Sequence, residues 1–202
     1  MKRPLRWLAV LLPLLLAACV PAPAVRMQGD AAAFSAQQAR EQALGQVDHW
    51  VLQGRLGVSD GWQGGSGSFS WTQDGSRYVF VLRAPITGRS FRLSGGPDGA
   101  QLEGLDGGTL HGPDAEALMR RALGWEVPLG DLRAWVLGLR ADSGPAELSF
   151  SADRLPARLQ QDGWTVDYHE WDSSRRPPLP KKVFAARAPY TVRLSIESWQ
   201  LQ

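Results

Sequence analysis

The chain has 202 residues, 22 Lys plus Arg against 20 Asp plus Glu, 44% apolar residues and one cysteine. That length supports one domain with a sizeable core and, with this apolar content, excludes a disordered or collagen-like chain, while a single cysteine excludes an internal disulfide framework and any multi-cysteine metal site. Nine Trp and 22 Gly point to a β-rich body with a broad apolar interior, because Trp brings a large apolar surface and Gly permits bends and bulges.

At the amino terminus, Met1-Lys2-Arg3-Pro4-Leu5-Arg6 carries three positive charges, and Trp7 to Ala18 then runs apolar with Pro13 as the only interruption. A run of this length is too short for the roughly 20 residues of a membrane-spanning helix and reads as an export signal. The sole cysteine follows directly in Leu16-Ala17-Ala18-Cys19, a tetrapeptide that resembles a bacterial lipobox. The resemblance implies cleavage before Cys19 and acylation of its sulfur and its freed amine. Val20, standing where an acidic residue would signal inner-membrane retention, implies release to the outer membrane. Three acyl chains at about 0.8 kcal/mol per buried CH₂ make such an anchor effectively permanent. The expected division is a signal peptide over 1–18, a lipidated tether over 19–30 starting with Pro21-Ala22-Pro23-Ala24, and one folded domain over 31–202. Loss of Lys2, Arg3 and Arg6 leaves 19 basic against 20 acidic residues. The basic balance belongs to the export signal, and an exported, anchored chain is not expected to bind nucleic acid.

Ala31 to Val47 is Ala- and Gln-rich and predicts a helix with Asp30 as N-cap. From His49 to Leu110 the pattern changes to short apolar runs broken by turn residues, predicting strands at Trp50–Val58, Ser68–Trp71, Arg77–Arg83, Ser90–Leu93, Ala100–Glu103 and Gly108–Leu110, with a hairpin at Asp74-Gly75. Pro113 suits the first position of a helix that ends near Gly124, its Ala115, Leu118, Met119, Ala122 and Leu123 forming one apolar face. Leu129, Leu132, Trp135, Val136 and Leu139 again fall at helical spacing. Strands return at Ala146–Ser151, Arg158–Gln161, Trp164–Tyr168, Lys181–Ala186 and Tyr190–Gln200. The fold class is therefore mainly β with α: an antiparallel sheet curling into a barrel or sandwich, with two apolar helices covering one face.

Catalytic chemistry is hard to find. Gly64-Gly65-Ser66-Gly67-Ser68 lacks the last Gly of a nucleophile elbow and reads as a flexible turn or bulge. His49, His111 and His169 are far apart, and Asp167 with His169 on one strand face supplies two metal ligands without a third. Arg175-Arg176 and Lys181-Lys182 bracket Pro177-Pro178-Leu179-Pro180, a rigid turn with four charges that reads as solvated. No metal, no cofactor and no enzymatic activity are expected.

Ala84-Pro85-Ile86-Thr87-Gly88 is a turn that carries an apolar β-branched residue where polar ones are the norm. Ile86 either meets a membrane or acyl chain or folds back on the sheet. Together with this loop, several segments resemble, in order, the outer-membrane lipoprotein receptor family LolB. They are Trp50 to Gly57, Phe69-Ser70-Trp71, Leu123-Gly124-Trp125 to Pro128-Leu129, Leu132 to Trp135 with Leu137-Gly138, Gln161 to Tyr168, Leu179-Pro180 and Trp199.

The resemblance implies an unclosed antiparallel β-barrel with a short helical lid over an apolar cavity. It also implies a monomeric receptor that takes lipoproteins from a LolA-like periplasmic carrier and inserts them into the outer membrane of a Gram-negative bacterium, itself anchored there through Cys19. Pro85, Ile86, Thr87 and Gly88 would form the membrane-insertion loop, although the family pattern Pro, apolar, Gly is here lengthened by Thr87 and carries Ile for the usual Leu. Alternation and helix faces nominate Leu52, Phe69, Trp71, Phe80, Leu82, Leu118, Leu123, Leu132, Trp135 and Val136 as cavity lining, the alternative for each being packed core. A lipid-anchored, lipocalin-like module for a free small lipid would use the same curved sheet.

Overall fold

The computed structural model describes residues 27–84 and 88–202; Cys19 and the loop residues Pro85, Ile86 and Thr87 lie outside them. The described chain forms β1 (Met27–Gln28), α1 (Ala31–Leu44), β2 (His49–Ser59), β3 (Gly64–Asp74), β4 (Arg77–Ala84), β5 (Arg89–Gly96), β6 (Gly99–Glu103), β7 (Leu110–Gly112), α2 (Ala115–Leu123), α3 (Leu129–Trp135), β8 (Ala146–Phe150), β9 (Pro156–Gln161), β10 (Trp164–Asp172), β11 (Leu179–Arg187) and β12 (Tyr190–Leu201). All strands belong to one sheet in the order β1-β8-β9-β10-β11-β12-β2-β3-β4-β5-β6-β7. Neighbours pair antiparallel, and the two meanders join where β12 pairs with β2, Leu194 opposite Leu56. The edges β1 and β7 do not pair, so the barrel stays open, as expected.

Period-2 burial sets which face turns inward. In β2, Trp50, Leu52, Leu56 and Val58 are buried while His49, Gln53 and Arg55 are exposed. In β12, Val192, Leu194 and Ile196 do the same. The inner faces of both meanders and the apolar sides of α2 and α3 form one continuous core. The two helices lie in the connection between β7 and β8, and so bridge the two halves of the open sheet. Contacts of α2 fall on β5, β6 and β7, whereas α3 is held to the other side, where Tyr168 Oη of β10 donates to Trp135 O at 3.1 Å. Burial pushes the Tyr168 hydroxyl pKa up.

Helix ends follow capping chemistry. Asp30 Oδ1 accepts from Ala33 N at 2.7 Å, and Asp114 Oδ1 from Ala117 N at 2.7 Å. Pro113 therefore precedes the cap and is not the first helical residue. Gly124, at φ 70°, closes α2 in the left-handed region. The first helix stops at Leu44, short of the expected Val47. The third stops at Trp135, and the apolar residues beyond it belong to a turn through Gly138, whose φ is 75° and where a Cβ would stand 2.5 Å from the Trp171 ring.

Three further expectations are corrected. The Gly64–Ser68 run is not a turn but the first half of β3, in register with β2 from Ser59 opposite Gly64 onwards. Leu179 and Pro180 open β11 and are buried, so the rigid turn ends before them. Met27 and Gln28, placed in the tether by sequence, pair with Phe150 and Ser149 of β8.

A buried amide holds the α3–β8 turn. Gln161, 3% exposed, accepts from Trp135 Nε1 at 3.1 Å and Ala141 N at 2.9 Å, and donates to Ala141 O at 2.6 Å and Gly144 O at 2.9 Å. Gln161→Leu would strand two donors and two acceptors. The expected loss is about 2–4 kcal/mol, read as a lower urea midpoint at unchanged m value.

Candidate functional site

Under the helices lies a narrow cavity of about 30 Å³ whose fourteen lining residues among those described are all apolar. Leu56 and Val58 of β2, Leu194 of β12, Phe80 and Leu82 of β4, Phe91 and Leu93 of β5 and Leu102 of β6 form its floor. Met119 and Leu123 of α2, Leu129 and Leu132 of α3, and Trp125 and Val127 between them form its roof. Register explains the grouping: Leu194 faces Leu56, Phe80 faces Leu93, Leu82 faces Phe91 and Leu93 faces Leu102.

The floor contains a gap, because β3 lies between β2 and β4 yet contributes no lining residue. Its inward positions at this level are Gly65, opposite Val58, and Gly67, opposite Leu56. A Cβ on Gly65 would lie 2.7 Å from Trp125 Cζ2, and one on Gly67 would overlap the carbonyl oxygen of Arg83. Missing side chains thus let the roof settle into the sheet and let β3 and β4 approach closely. Further along the same strands the interior is filled by rings: Trp50 to Trp71 at 5.1 Å, Trp50 to Trp199 at 5.5 Å and Phe69 to Phe80 at 5.4 Å. One end of the barrel is thereby plugged, and the apolar cavity lies toward the end bearing the β2–β3 and β4–β5 connections.

Of the residues nominated by sequence, Phe80, Leu82, Leu123 and Leu132 meet at this cavity. Leu52, Phe69 and Trp71 are buried on the same sheet face but nearer the aromatic plug, and Leu118, Trp135 and Val136 are buried elsewhere under the helices. Sequence reasoning missed Leu56, Val58, Phe91, Leu93, Leu102, Met119, Trp125, Val127, Leu129 and Leu194. The available signal was the Gly64–Gly67 run, which marks where side chains are absent.

Polar links hold the roof at its margins. Glu116 Oε1 accepts from Gly130 N at 3.2 Å, joining α2 to α3, and burial pushes its carboxyl above the usual range, with Asp114 and Asp131 adding to the shift. Arg187 reaches Glu126 at 2.6 Å and covers the Trp164 ring at 5.0 Å. On the far side of α3, Arg40 of α1 is 5% exposed. It donates to Leu137 O at 3.1 Å and to Pro178 O, and lies 4.6 Å from the Trp171 ring. Burial lowers its pKa to about 10.

The remaining candidate chemistry resolves into pairing. Asp167 takes a two-pronged contact from Arg158 at 2.8 Å, and His169 lies 4.5 Å from the Phe184 ring. Lys181 and Lys182 both bridge Glu170, at 2.8 and 2.7 Å, and hold its carboxyl down to about 2. Arg175 binds Asp172 and the carbonyl of Trp199. Among the described residues no group of three His, Cys, Asp or Glu could hold a metal, and no helix is long and apolar enough to cross a membrane.

Residues 48–199 match the family model of the outer membrane lipoprotein LolB. The chain is 41% identical over 185 residues to an outer-membrane lipoprotein LolB of Xanthomonas campestris pv. campestris, covering 89% of this chain and 85% of the relative. It is 40% identical over 215 residues to that of Xanthomonas oryzae pv. oryzae, covering 98% of each. Its fold is similar to that of a LolA superfamily protein from Nitrosomonas europaea, with a TM-score of 0.53 at 10% identity over 84% of this chain and 93% of the other. A DUF1329 family protein from Desulfovibrio piger gives 0.52 at 9% identity, over 85% and 92%.

Proposed function

The chain belongs to the outer-membrane lipoprotein LolB family, and on that premise we propose that its apolar cavity receives the acyl chains of a lipoprotein from a LolA-like periplasmic carrier and releases them into the outer membrane. It is an outer-membrane lipoprotein receptor acting in lipoprotein localisation. The observation that carries the finer reading is a lining without a single polar residue among those described, sited under helices that bridge an open sheet. Acyl chains crossing an aqueous compartment need such a dry surface, at about 0.8 kcal/mol per CH₂ removed from water.

A cavity of about 30 Å³ has room for about two waters, so cargo enters only when the roof parts from the floor. The segment best placed to move is α2 with residues 124–128. Its hold on the rest of the fold is apolar apart from the margins, where Glu116 accepts from Gly130 N, Arg121 Nη2 donates to His111 O at 3.4 Å and Glu126 pairs with Arg187, whereas α3 is tied down through Trp135. No bond is made or broken in this cycle. Transfer runs downhill if the cavity gains more from the acyl chains than the carrier's does and less than the bilayer. Cys19 supplies the anchor, the Pro85–Gly88 loop the contact with the bilayer, and a single copy of the chain suffices.

Mixing the receptor with a carrier-bound lipoprotein tests this. Cargo should change partner and then appear in added vesicles. No exchange, with tight retention of free fatty acid, would instead favour a module for a free small lipid.

A further inference from the structure

Residues 60–63 connect β2 to β3 and present Trp62, whose side chain is 94% exposed. The turn beneath it is firmly built. Asp60 Oδ1 accepts from Trp62 N at 2.9 Å and Gln63 N at 2.6 Å, Asp60 N donates to Gln63 O at 3.0 Å, and Gly61 N donates to Ser59 Oγ at 3.0 Å. Gly61 has φ 92°, and a Cβ there would stand 3.2 Å from Pro189 Cβ, so this turn leans on the one between β11 and β12. An indole is thus held in water on a turn whose backbone is already ordered, and contact with an apolar phase carries little further entropic cost.

Register fixes where that indole lies. Ser59 is opposite both Gly64 and Thr191, and Ala84 is opposite Arg89, so Trp62 leaves the sheet at the end that carries the β4–β5 loop and the cavity. We propose that Trp62 enters the interfacial layer of the outer membrane during delivery, as a second membrane contact beside the β4–β5 loop. This rests on the delivery reading above. The bilayer is the apolar phase next to an outer-membrane protein, and the headgroup level is where Trp partitions, its ring in acyl chains and its N–H toward polar groups.

Chain length allows the orientation. Cys19 to Met27 spans up to about 28 Å when extended. Met27 pairs with Phe150, about 14 Å along β8 from Ala146 at the loop end. A lipidated Cys19 can therefore sit in the same bilayer that this end faces.

The test uses the mature lipidated chain in vesicles whose lipids carry bromine near the headgroup. Subtracting the emission of Trp62→Phe from that of the unaltered chain isolates Trp62. Its emission should be quenched severalfold by the brominated lipid. Trp62→Ser should deliver cargo about tenfold more slowly, with uptake from the carrier within about twofold of normal. Emission untouched by brominated lipid would overturn the proposal. So would shielding of Trp62 from aqueous iodide by cargo-free carrier without vesicles, which would make it a carrier-docking residue. If the unaltered chain moved no cargo, the delivery reading would fail, while quenching would still decide whether Trp62 meets lipid.

Discussion

Ile86→Glu should leave uptake of a lipoprotein from its carrier within about twofold of normal, and should lower delivery to vesicles at least about tenfold. Uptake depends on the cavity, whose described lining residues lie on β2, β4, β5, β6, β12 and the α2–α3 roof. On the proposed role of the loop, delivery requires it to enter lipid, and β4 and β5 close with Ala84 opposite Arg89, which leaves residues 85–88 between them at the cavity end of the sheet. Gly88, at φ 65°, sets its return. A carboxylate at the bilayer centre costs about 2.5–3.5 kcal/mol, and even half of that cost at shallower depth gives roughly tenfold. Ile86→Leu keeps the apolar tip and should keep delivery. Equal loss of uptake and delivery in Ile86→Glu would refute the role of the loop.

Leu123→Asp should have the opposite profile, with uptake itself falling about a hundredfold. Leu123 ends α2, is half-buried and lines the cavity. Its partial exposure lets the empty receptor fold with Leu123→Asp, the new carboxylate turning to water. Bound acyl chains remove that water, and among the described residues no cation lines the cavity to compensate, so the charged form opposes binding. Burial raises a carboxyl pKa, so lowering the pH should restore part of the uptake as the introduced carboxylate takes up a proton and becomes neutral. Leu123→Met, similar in volume, should stay within about threefold of normal. Comparable thermal unfolding of the three chains would separate lost binding from lost fold.

Much of the sheet was legible because alternation survives in its strands. Thr191 to Trp199 and Ser68 to Trp71 show it plainly, and α2 announces itself through Asp114, its apolar spacing and Gly124. The beginning of β3 was not legible, because glycines carry no side chain whose alternation could be read. The role of Gly65 and Gly67 emerges only from what they face, the Trp125 ring and the backbone at Arg83. Helix α3 looked longer than it is because Val136, Leu137 and Leu139 are as buried in the following turn as they would be in a helix.

The candidate site divides in the same way. Alternation identifies the inward face, and it placed Phe80 and Leu82 correctly on it together with Leu52, Phe69 and Trp71. Whether an inward residue borders a void depends on its neighbours across the strands. Trp71 meets Trp50 and Phe80, whereas Leu56 and Val58 face glycines. Pairings of that kind need the register, which one sequence does not provide. Trp62 stood in plain view, but only its exposure and the shared end of the barrel give it meaning.

The central claim is that acyl chains occupy the space between the sheet and the α2–α3 roof. A photoreactive benzophenone side chain placed at Phe91, which is half-buried and lines the cavity, tests it most directly. Phe184, which lies against His169 away from the cavity, is the matched control. Irradiation with carrier-loaded lipoprotein should give an adduct at position 91 and not at 184, dependent on the cargo's acyl chains and lost once vesicles have received it. Equal adducts at both positions, or an adduct at 91 with non-acylated cargo, would contradict a lipid-holding cavity.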